Sequence, residues 1–402
     1  MEAAMAKAYD AIIVGARCAG SPTAMLLARK GYRVLLLDRA TFPSDTLSTH
    51  VVQPQGVATL ARWGLLDRLR ATGCPPIHTY AFDFGPVTLA GAPGASDFPV
   101  AYCPRRTVLD KLLVDAAVEA GAELREGFTV DEVLVEEGCV AGIRGRTHDG
   151  RTVSERARVV IGAEGRNSLV AEAGRAAAYN AKPPLLAAYY GYWSGLPMQG
   201  RFEIYVRPYR GFAAAETHDG LTFVVAGWPY AEFDAYKADL EGNYRKTLAL
   251  VPAFDDRLRG AKRETRLMGT ALPNFFRKPF GPGWALVGDA GYQRDFITAQ
   301  GISDAFRDAE LCAAALDQGF SGARSFDDAM AGYQRRRDEQ SLPMYEMTCQ
   351  LATLEPPPPE MQRLIGAIHG NRGAMDDFAR MNAGTLPPAD FFARHAGVAA
   401  AA

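Results

Sequence analysis

The segment that most constrains the fold lies near the start of the chain. Ala11–Val14 is a short apolar run and Gly15–Gly20 a turn. Ser21 to about Lys30 then carries Ala24, Leu27 and Ala28 on one helical face, and Gly31 precedes a second apolar run, Val34–Leu37. Two uninterrupted apolar runs joined by a helix-length segment describe parallel strands buried on both faces. Within this βαβ unit, Gly15-Ala16-Arg17-Cys18-Ala19-Gly20 reads as a dinucleotide fingerprint whose second glycine is replaced by Arg17. Gly15, Gly20, Ala24, Leu27, Gly31, Val34 and Asp38 all stand where such a unit needs them. Gly15 permits the tight turn, and Gly20 and Ala24 let the helix lie close to the strands. The helix N-terminus offers unpaired N–H groups to a pyrophosphate. Asp38, 23 residues after Gly15, ends the second strand, where a carboxylate holds ribose hydroxyls. An acid there suits FAD or NAD over NADP. Arg17 cannot do the second glycine's job of close backbone approach. The sequence leaves open whether its charge faces the pyrophosphate or points away.

Further along, Arg106–Ala120 has Leu109, Leu112, Leu113 and Ala116 in helical period. Phe128–Val135, Val140–Arg144 and Arg158–Ile161 read as strands. From Leu185 to Met268 the texture changes: Tyr189–Trp193, Arg201–Val206, Gly211–Ala215 and Leu221–Trp228 are aromatic and β-branched runs separated by turn signals. They predict an antiparallel sheet distinct from the parallel part. Trp284–Val287 is again a strand, and Gly301 to about Leu316 a helix. The tail from Phe326 reads as helical, broken by an extended, surface connection at Pro356–Pro359 and frayed at its Ala-rich end.

Composition narrows the function classes. A formal charge of −2 leaves no basic excess for nucleic-acid binding. No run approaches ~18 apolar residues, so no spanning helix is expected. The MEAAMAKAYD start lacks the apolar region of a secretory signal, and the scattered cysteines suit a reducing cytoplasm. The six cysteines, Cys18, Cys74, Cys103, Cys139, Cys312 and Cys349, form no C-x-x-C pair. The histidines are dispersed, so neither a metal site nor a disulfide framework is expected.

Two later segments separate FAD from NAD. They are Val160-Ile161-Gly162-Ala163-Glu164-Gly165 and Gly288-Asp289-Ala290, the latter followed by Ala299-Gln300-Gly301-Ile302-Ser303-Asp304. With the N-terminal fingerprint they make the chain, over roughly residues 9–320, resemble the FAD-dependent group A flavoprotein monooxygenase family. That p-hydroxybenzoate hydroxylase-like fold is shared with flavin halogenases and geranylgeranyl reductases. The resemblance implies an α/β chain. Its FAD-binding Rossmann-like domain would comprise 1–72, 100–182 and 270–325, with an inserted antiparallel-sheet substrate domain at 73–99 and 183–269. A helical C-terminal region would follow at 326–402. It also implies that Asp289 binds the ribityl chain, with Gly288 beside it, and that Gly301 and Ile302 begin a helix facing the flavin's pyrimidine end. Such a helix end stabilises negative charge on reduced flavin. Arg106, heading an R-x-x-L-x-x-x-L pattern, would lie by the FAD, as would Arg39 and Val130. Ser48-Thr49-His50 lies in a loop the family uses near the flavin, and His50 is a candidate contact or proton carrier.

The chain also departs from the family pattern. Glu164 stands for the usual aspartate of the middle motif, Ala171 for its closing arginine, and Phe296 for a proline beside the reacting edge of the flavin. The Trp-x-Trp-x-Ile-Pro motif of halogenases is not matched around Trp193 or Trp228. The resemblance implies a monooxygenase that hydroxylates an aromatic or polycyclic apolar substrate through a C4a-hydroperoxyflavin. NAD(P)H or a separate reductase would supply electrons. A reductase or dehydrogenase of the same fold is the alternative, ahead of a halogenase or a non-catalytic flavin-binding protein. Of the sheet aromatics Tyr189, Tyr190, Tyr192, Trp193, Tyr205 and Trp228, only some can face a substrate, because alternate strand side chains point to opposite faces.

Overall fold

The structure, a computed structural model, describes residues 9–95 and 97–400. The readings of the first eight residues and of the last two alanines lie outside them. The central sheet is ordered Phe280–Gly281, Trp284–Leu286, Thr152–Gly162, Tyr9–Val14, Val34–Leu37, Glu123–Arg125. Four of these five pairings are parallel, with Ile13 beside both Leu36 and Ile161, and Ile161 beside Ala285. The apolar runs follow from this geometry. Ile13, Leu36 and Ile161 pack against Leu27, Leu109, Leu113 and Phe306 of the helices Gly20–Ala28, Arg106–Glu119 and Gly301–Phe320. Their neighbours Ile12, Leu35 and Val160 pack on the opposite face against Phe128, Val133, Ile143 and Trp284. Each such side chain, fully withdrawn from water, contributes about 1.5–3 kcal/mol. The opposite face is covered by the antiparallel hairpin Thr129–Glu136 and Cys139–Arg146, which continues into Thr152–Gly162.

The second sheet runs Lys262–Arg263, Leu186–Ser194, Leu221–Pro229, Arg210–Glu216, Arg201–Arg207, Thr79–Asp83, Thr88–Gly91. Its aromatic strands pair antiparallel, in register Tyr190↔Val225 and Ala213↔Val225. The sheet is not wholly antiparallel, however, because Arg201–Arg207 lies parallel to Thr79–Asp83. The strand at 79–83 is contributed by a distant stretch of chain, and no local turn ties its direction to that of its neighbour. One face buries Tyr190, Tyr192, Phe202 and Phe223 against Leu364, Phe378 and Phe391 of the C-terminal helices. The other buries Trp193, Phe212 and Val224 against Tyr244 and Phe254 of the helices Leu240–Leu248 and Pro252–Leu258.

The C-terminal region is helical over Phe326–Leu351, Pro359–Ile368, Arg372–Ala383 and Pro388–Ala400. Of the four prolines expected to form a connection, Pro359 instead opens a helix. Proline suits that position because its missing N–H would have no helical partner. Arg337 reaches from the first of these helices, fully buried, to the carbonyls of Gly291 and Arg277 at 3.1 and 3.0 Å.

Gly20 is the tightest point of the fingerprint. A β-carbon there would collide with the carbonyl oxygen of Gly15 and press on Ala163. Gly20→Ala is therefore expected to destabilise the protein by at least about 1–3 kcal/mol, read as a lower denaturant midpoint at unchanged slope. A midpoint equal to the wild type would mean that the helix can move away from the strand at no cost.

Candidate functional site

In an open parallel sheet, ligands bind beyond the carboxyl ends of the strands, where the chain crosses to opposite sides. Here Tyr9–Val14 is flanked by Val34–Leu37 on one side and Thr152–Gly162 on the other. A cleft of about 670 Å³ opens above these strand ends, lined by Val14, Gly15, Leu37, Asp38, Ala163 and Gly288 among others. Gly15 adopts φ +101°, and a β-carbon there would lie 2.6 Å from the Ala163 carbonyl oxygen. Its missing side chain is thus required by both backbone angle and space. Gly288 approaches Ala19 as closely, with 2.8 Å between a built β-carbon and the alanine's own. The helix Gly20–Ala28 carries no side-chain N-cap; in its first turn the N–H groups of Ser21 and Thr23 donate to the carbonyls of Arg17 and Ala19.

Asp38 accepts hydrogen bonds from the backbone N–H of Ala16 at 2.7 Å and of Ala40 at 2.8 Å. This fixes its carboxylate at the edge of the cleft. Arg17 extends across the cleft wall. Its Nη1 donates to Asp110 Oδ2 at 2.6 Å and its Nη2 to Ser44 Oγ at 3.0 Å. Arg106 meets the same carboxylate through Nε at 2.9 Å and Nη2 at 3.0 Å. The Cys18 thiol donates to Asp110 Oδ1 at 3.3 Å. Asp110 is fully buried and was not singled out from the sequence, although its signal was there. Arg106 and Asp110 are four residues apart on one helix, the spacing at which opposite charges meet.

Asp289 opens into the cleft, yet it sits deep enough that its neighbours set its acidity. Loss of hydration pushes its carboxyl up to about 6, with Arg106 and Arg166 opposing and Asp304 and Asp308 adding to the rise. Glu164 lines the same wall. Burial raises its pKa, and its Oε1 accepts from the Val170 N–H at 3.2 Å. Burial pushes Asp295 up to about 7 against hydrogen bonds from backbone N–H groups of Ile297, Leu186 and Phe296. Arg294, Asp304, Arg307 and Asp308 form a buried charge chain beneath this wall, with Asp304 bridging Arg294 at 2.6 Å and Arg307 at 2.8 Å. Of these groups only Asp304 falls within the Ala299–Asp304 motif.

Of the residues expected at the site, Gly15, Arg17, Cys18, Ala19, Asp38, Arg39, Arg106, Val130, Gly288, Asp289, Gly301 and Ile302 line the cleft. Ala16 and Gly20 lie behind its wall and shape it. His50, expected near the flavin, is fully buried and is not among the cleft-lining residues. Its backbone takes φ +64°, and its ring sits among Tyr190, Tyr192 and Phe223. Its Nε2 meets the Tyr192 hydroxyl at 2.6 Å. Burial, then Arg106 and Arg105, push its pKa down to about 3, so the imidazole is neutral. The sheet aromatics do not line the cleft either. Tyr190 and Tyr192 pack toward the C-terminal helices, Trp193 and Tyr205 toward the opposite layer, and Trp228 stacks between Tyr189 and Tyr236.

The fold and this cleft define an FAD-dependent oxidoreductase fold, a group that takes in monooxygenases, halogenases and reductases. Residues 8–182 match the family described as the FAD binding domain. The chain is similar to Protein FixC of Salmonella typhi, 35% identical over 172 residues, which covers 41% of this chain and 38% of that protein. The match therefore takes in well under two thirds of the relative's length. Among solved structures it is similar to the myxobacterial chondrochloren halogenase. There the TM-score is 0.79 at 23% identity, over 95% of this chain and 100% of that one. It is also similar to PqsL of Pseudomonas aeruginosa, named as a probable FAD-dependent monooxygenase. That TM-score is 0.71 at 21% identity, over 94% of this chain and 99% of that one.

The cleft's own features fit such a cofactor: a glycine cradle at Gly15 and Gly288, an uncapped helix end, and the Nη1 of Arg106 without a protein partner among the described residues. No helix among them is long and apolar enough to cross a membrane. The raised pKa of Asp289 gives a test with a defined sign. Its proton is held more tightly in the folded than in the unfolded chain. The apo protein therefore loses stability as pH rises from about 4 toward about 6. Asp289→Asn is expected to make the apo protein more stable than wild type at pH ~7 and no more stable at pH ~4. Denaturant titrations of both proteins at both pH values read this directly. A gain of equal size at both would mean that ionisation of Asp289 is not its source.

Proposed function

We propose that the protein is an FAD-dependent monooxygenase acting on an aromatic or polycyclic apolar substrate, with NAD(P)H as the electron donor. The observation that carries this reading is that one cleft combines two surfaces. Gly15, Arg17, Arg106 and the uncapped helix end suit a dinucleotide, while Leu47, Leu169, Leu272 and Phe296 line the same space with apolar side chains. Leu47 and Leu169, 48% and 37% exposed, are apolar surface that a ligand in this cleft would cover. FAD, when bound, supplies the electron transfer and the reaction with oxygen. The chain's own residues would hold it: Asp38 at a ribose, Arg17 and Arg106 at the pyrophosphate, Asp289 at the ribityl chain, and the Gly301–Ile302 helix end at the pyrimidine. With a single dinucleotide fingerprint in the sequence, the nicotinamide donor would visit rather than reside. Trp193 and Trp228 are buried away from the cleft, which weighs against a halogenase arrangement built on them.

A second reading, a reductase or dehydrogenase that does not use oxygen, draws on Phe296. This side chain lines the cleft where the resembled family has proline. The two readings separate in stopped-flow absorbance of anaerobically reduced protein mixed with oxygen, with and without a panel of phenolic and polycyclic ligands. For the monooxygenase, a transient spectrum precedes the return of oxidised flavin, and labelled oxygen enters a product. Direct return with every ligand and no labelled product would overturn that reading in favour of the reductase.

A further inference from the structure

We propose that Arg17 replaces the missing fingerprint glycine with charge: it offsets negative charge at the phosphate-binding turn and donates to the cofactor's pyrophosphate, with Asp110 as the positioning residue. The inference rests on the reading that the cleft binds FAD.

A plain glycine at position 17 would let the backbone approach the phosphates. Arginine forfeits that approach, so the loss must be met another way. Without Arg17, the charged side chains bonded to the turn or lying beside it would include Arg106, Asp110, Asp289 and Asp38, whose carboxylate accepts from the Ala16 N–H. Asp110 has no exposure to solvent and Asp289 is ionised above about pH 6. That set would leave a net negative charge beside an anionic ligand. Arg17 offsets one of these negative charges, and the helix end adds a partial positive charge.

Geometry places the guanidinium where this can work. Arg17 and Arg106 both line the cleft. Both grip Asp110, which spends all its strong acceptor capacity on them and on the Cys18 thiol. The shared carboxylate holds the two cations side by side without facing the ligand itself. Each still has a donor to offer: Nε of Arg17 and Nη1 of Arg106 have no hydrogen-bond partner among the described residues. Arg106 is 8% exposed and lines the cleft wall. Arg17 keeps 24% of its side chain exposed, at the cleft mouth. Paired guanidiniums with a fixed spacing match phosphate oxygens better than ammonium groups do. The rival role for Arg17 is purely structural. Through Nη2 it also ties Ser44 Oγ at 3.0 Å and the Asp45 carbonyl at 3.4 Å, which staples that loop.

The test is FAD affinity of apo protein against salt concentration, followed by flavin fluorescence, for wild type, Arg17→Met and Ser44→Ala. Removing one charge-assisted donor is expected to weaken FAD roughly tenfold or more. The same change should flatten the salt dependence in Arg17→Met. In Ser44→Ala, which keeps the guanidinium and loses a loop bond, affinity and salt slope should stay within about twofold of wild type. Arg17→Met with wild-type affinity, or with lost affinity at an unchanged salt slope, overturns the proposal. So does a loss in Ser44→Ala as large as in Arg17→Met. If Arg17→Met does not yield folded protein, Arg17→Lys carries the test. A retained salt slope then supports the charge role, and a lost one overturns it. Wild-type protein that binds no FAD would instead remove the reading on which the proposal stands.

Discussion

The carboxylate of Asp110 has no contact with solvent and accepts hydrogen bonds from Arg17, Arg106 and the Cys18 thiol. Taking a carboxylate out of water is costly and is tolerated only where cations and donors replace the water. Three separate stretches of chain meet at this charge: the fingerprint turn, the helix Arg106–Glu119, and, through Arg17, the loop at Ser44–Asp45. The position of the turn relative to the helix is thus fixed by electrostatics, while its distance from the strand is fixed by sterics at Gly15 and Gly20. The cleft inherits its shape from both.

Around this point the chain divides its labour by layer. Parallel strands buried on both faces deliver their carboxyl ends to one edge, where backbone and charged groups can converge. The second sheet buries both faces as well, under the C-terminal helices on one side and the short helices before Leu258 on the other. Its aromatic residues therefore act as packing, and the apolar surface open to the cleft comes from Leu47, Leu169, Leu272 and Phe296. The same logic explains His50. In its left-handed conformation it lies within the second sheet's aromatic cluster, and neither that angle nor that neighbourhood is encoded in the local sequence.

What could be read from the sequence was what short-range rules encode. The runs Ala11–Val14 and Val34–Leu37, the turn between them and the acid at Asp38 follow from periodicity and spacing. What escaped were pairings over long separations. The parallel neighbour of Arg201–Arg207 comes from Thr79–Asp83. Asp110 meets Arg17 across 93 positions of sequence. Arg294 meets Asp304 only because a turn and a helix fold back on each other. Arg17 shows the limit most plainly. The sequence marked it as a departure, but only the location of its partner shows where its charge goes.

Arg337 carries a consequence for how the protein is made. The Gly288–Gly291 turn presents Asp289 to the cleft, and the Gly291 carbonyl at its end is held by a guanidinium from the helix Phe326–Leu351. A ribosome that has released every fingerprint segment has therefore not yet released Arg337, which joins the Arg277 N–H in holding that carbonyl. The cleft is thus buttressed by chain that contributes nothing to its lining and that is synthesised after the last segment to line it.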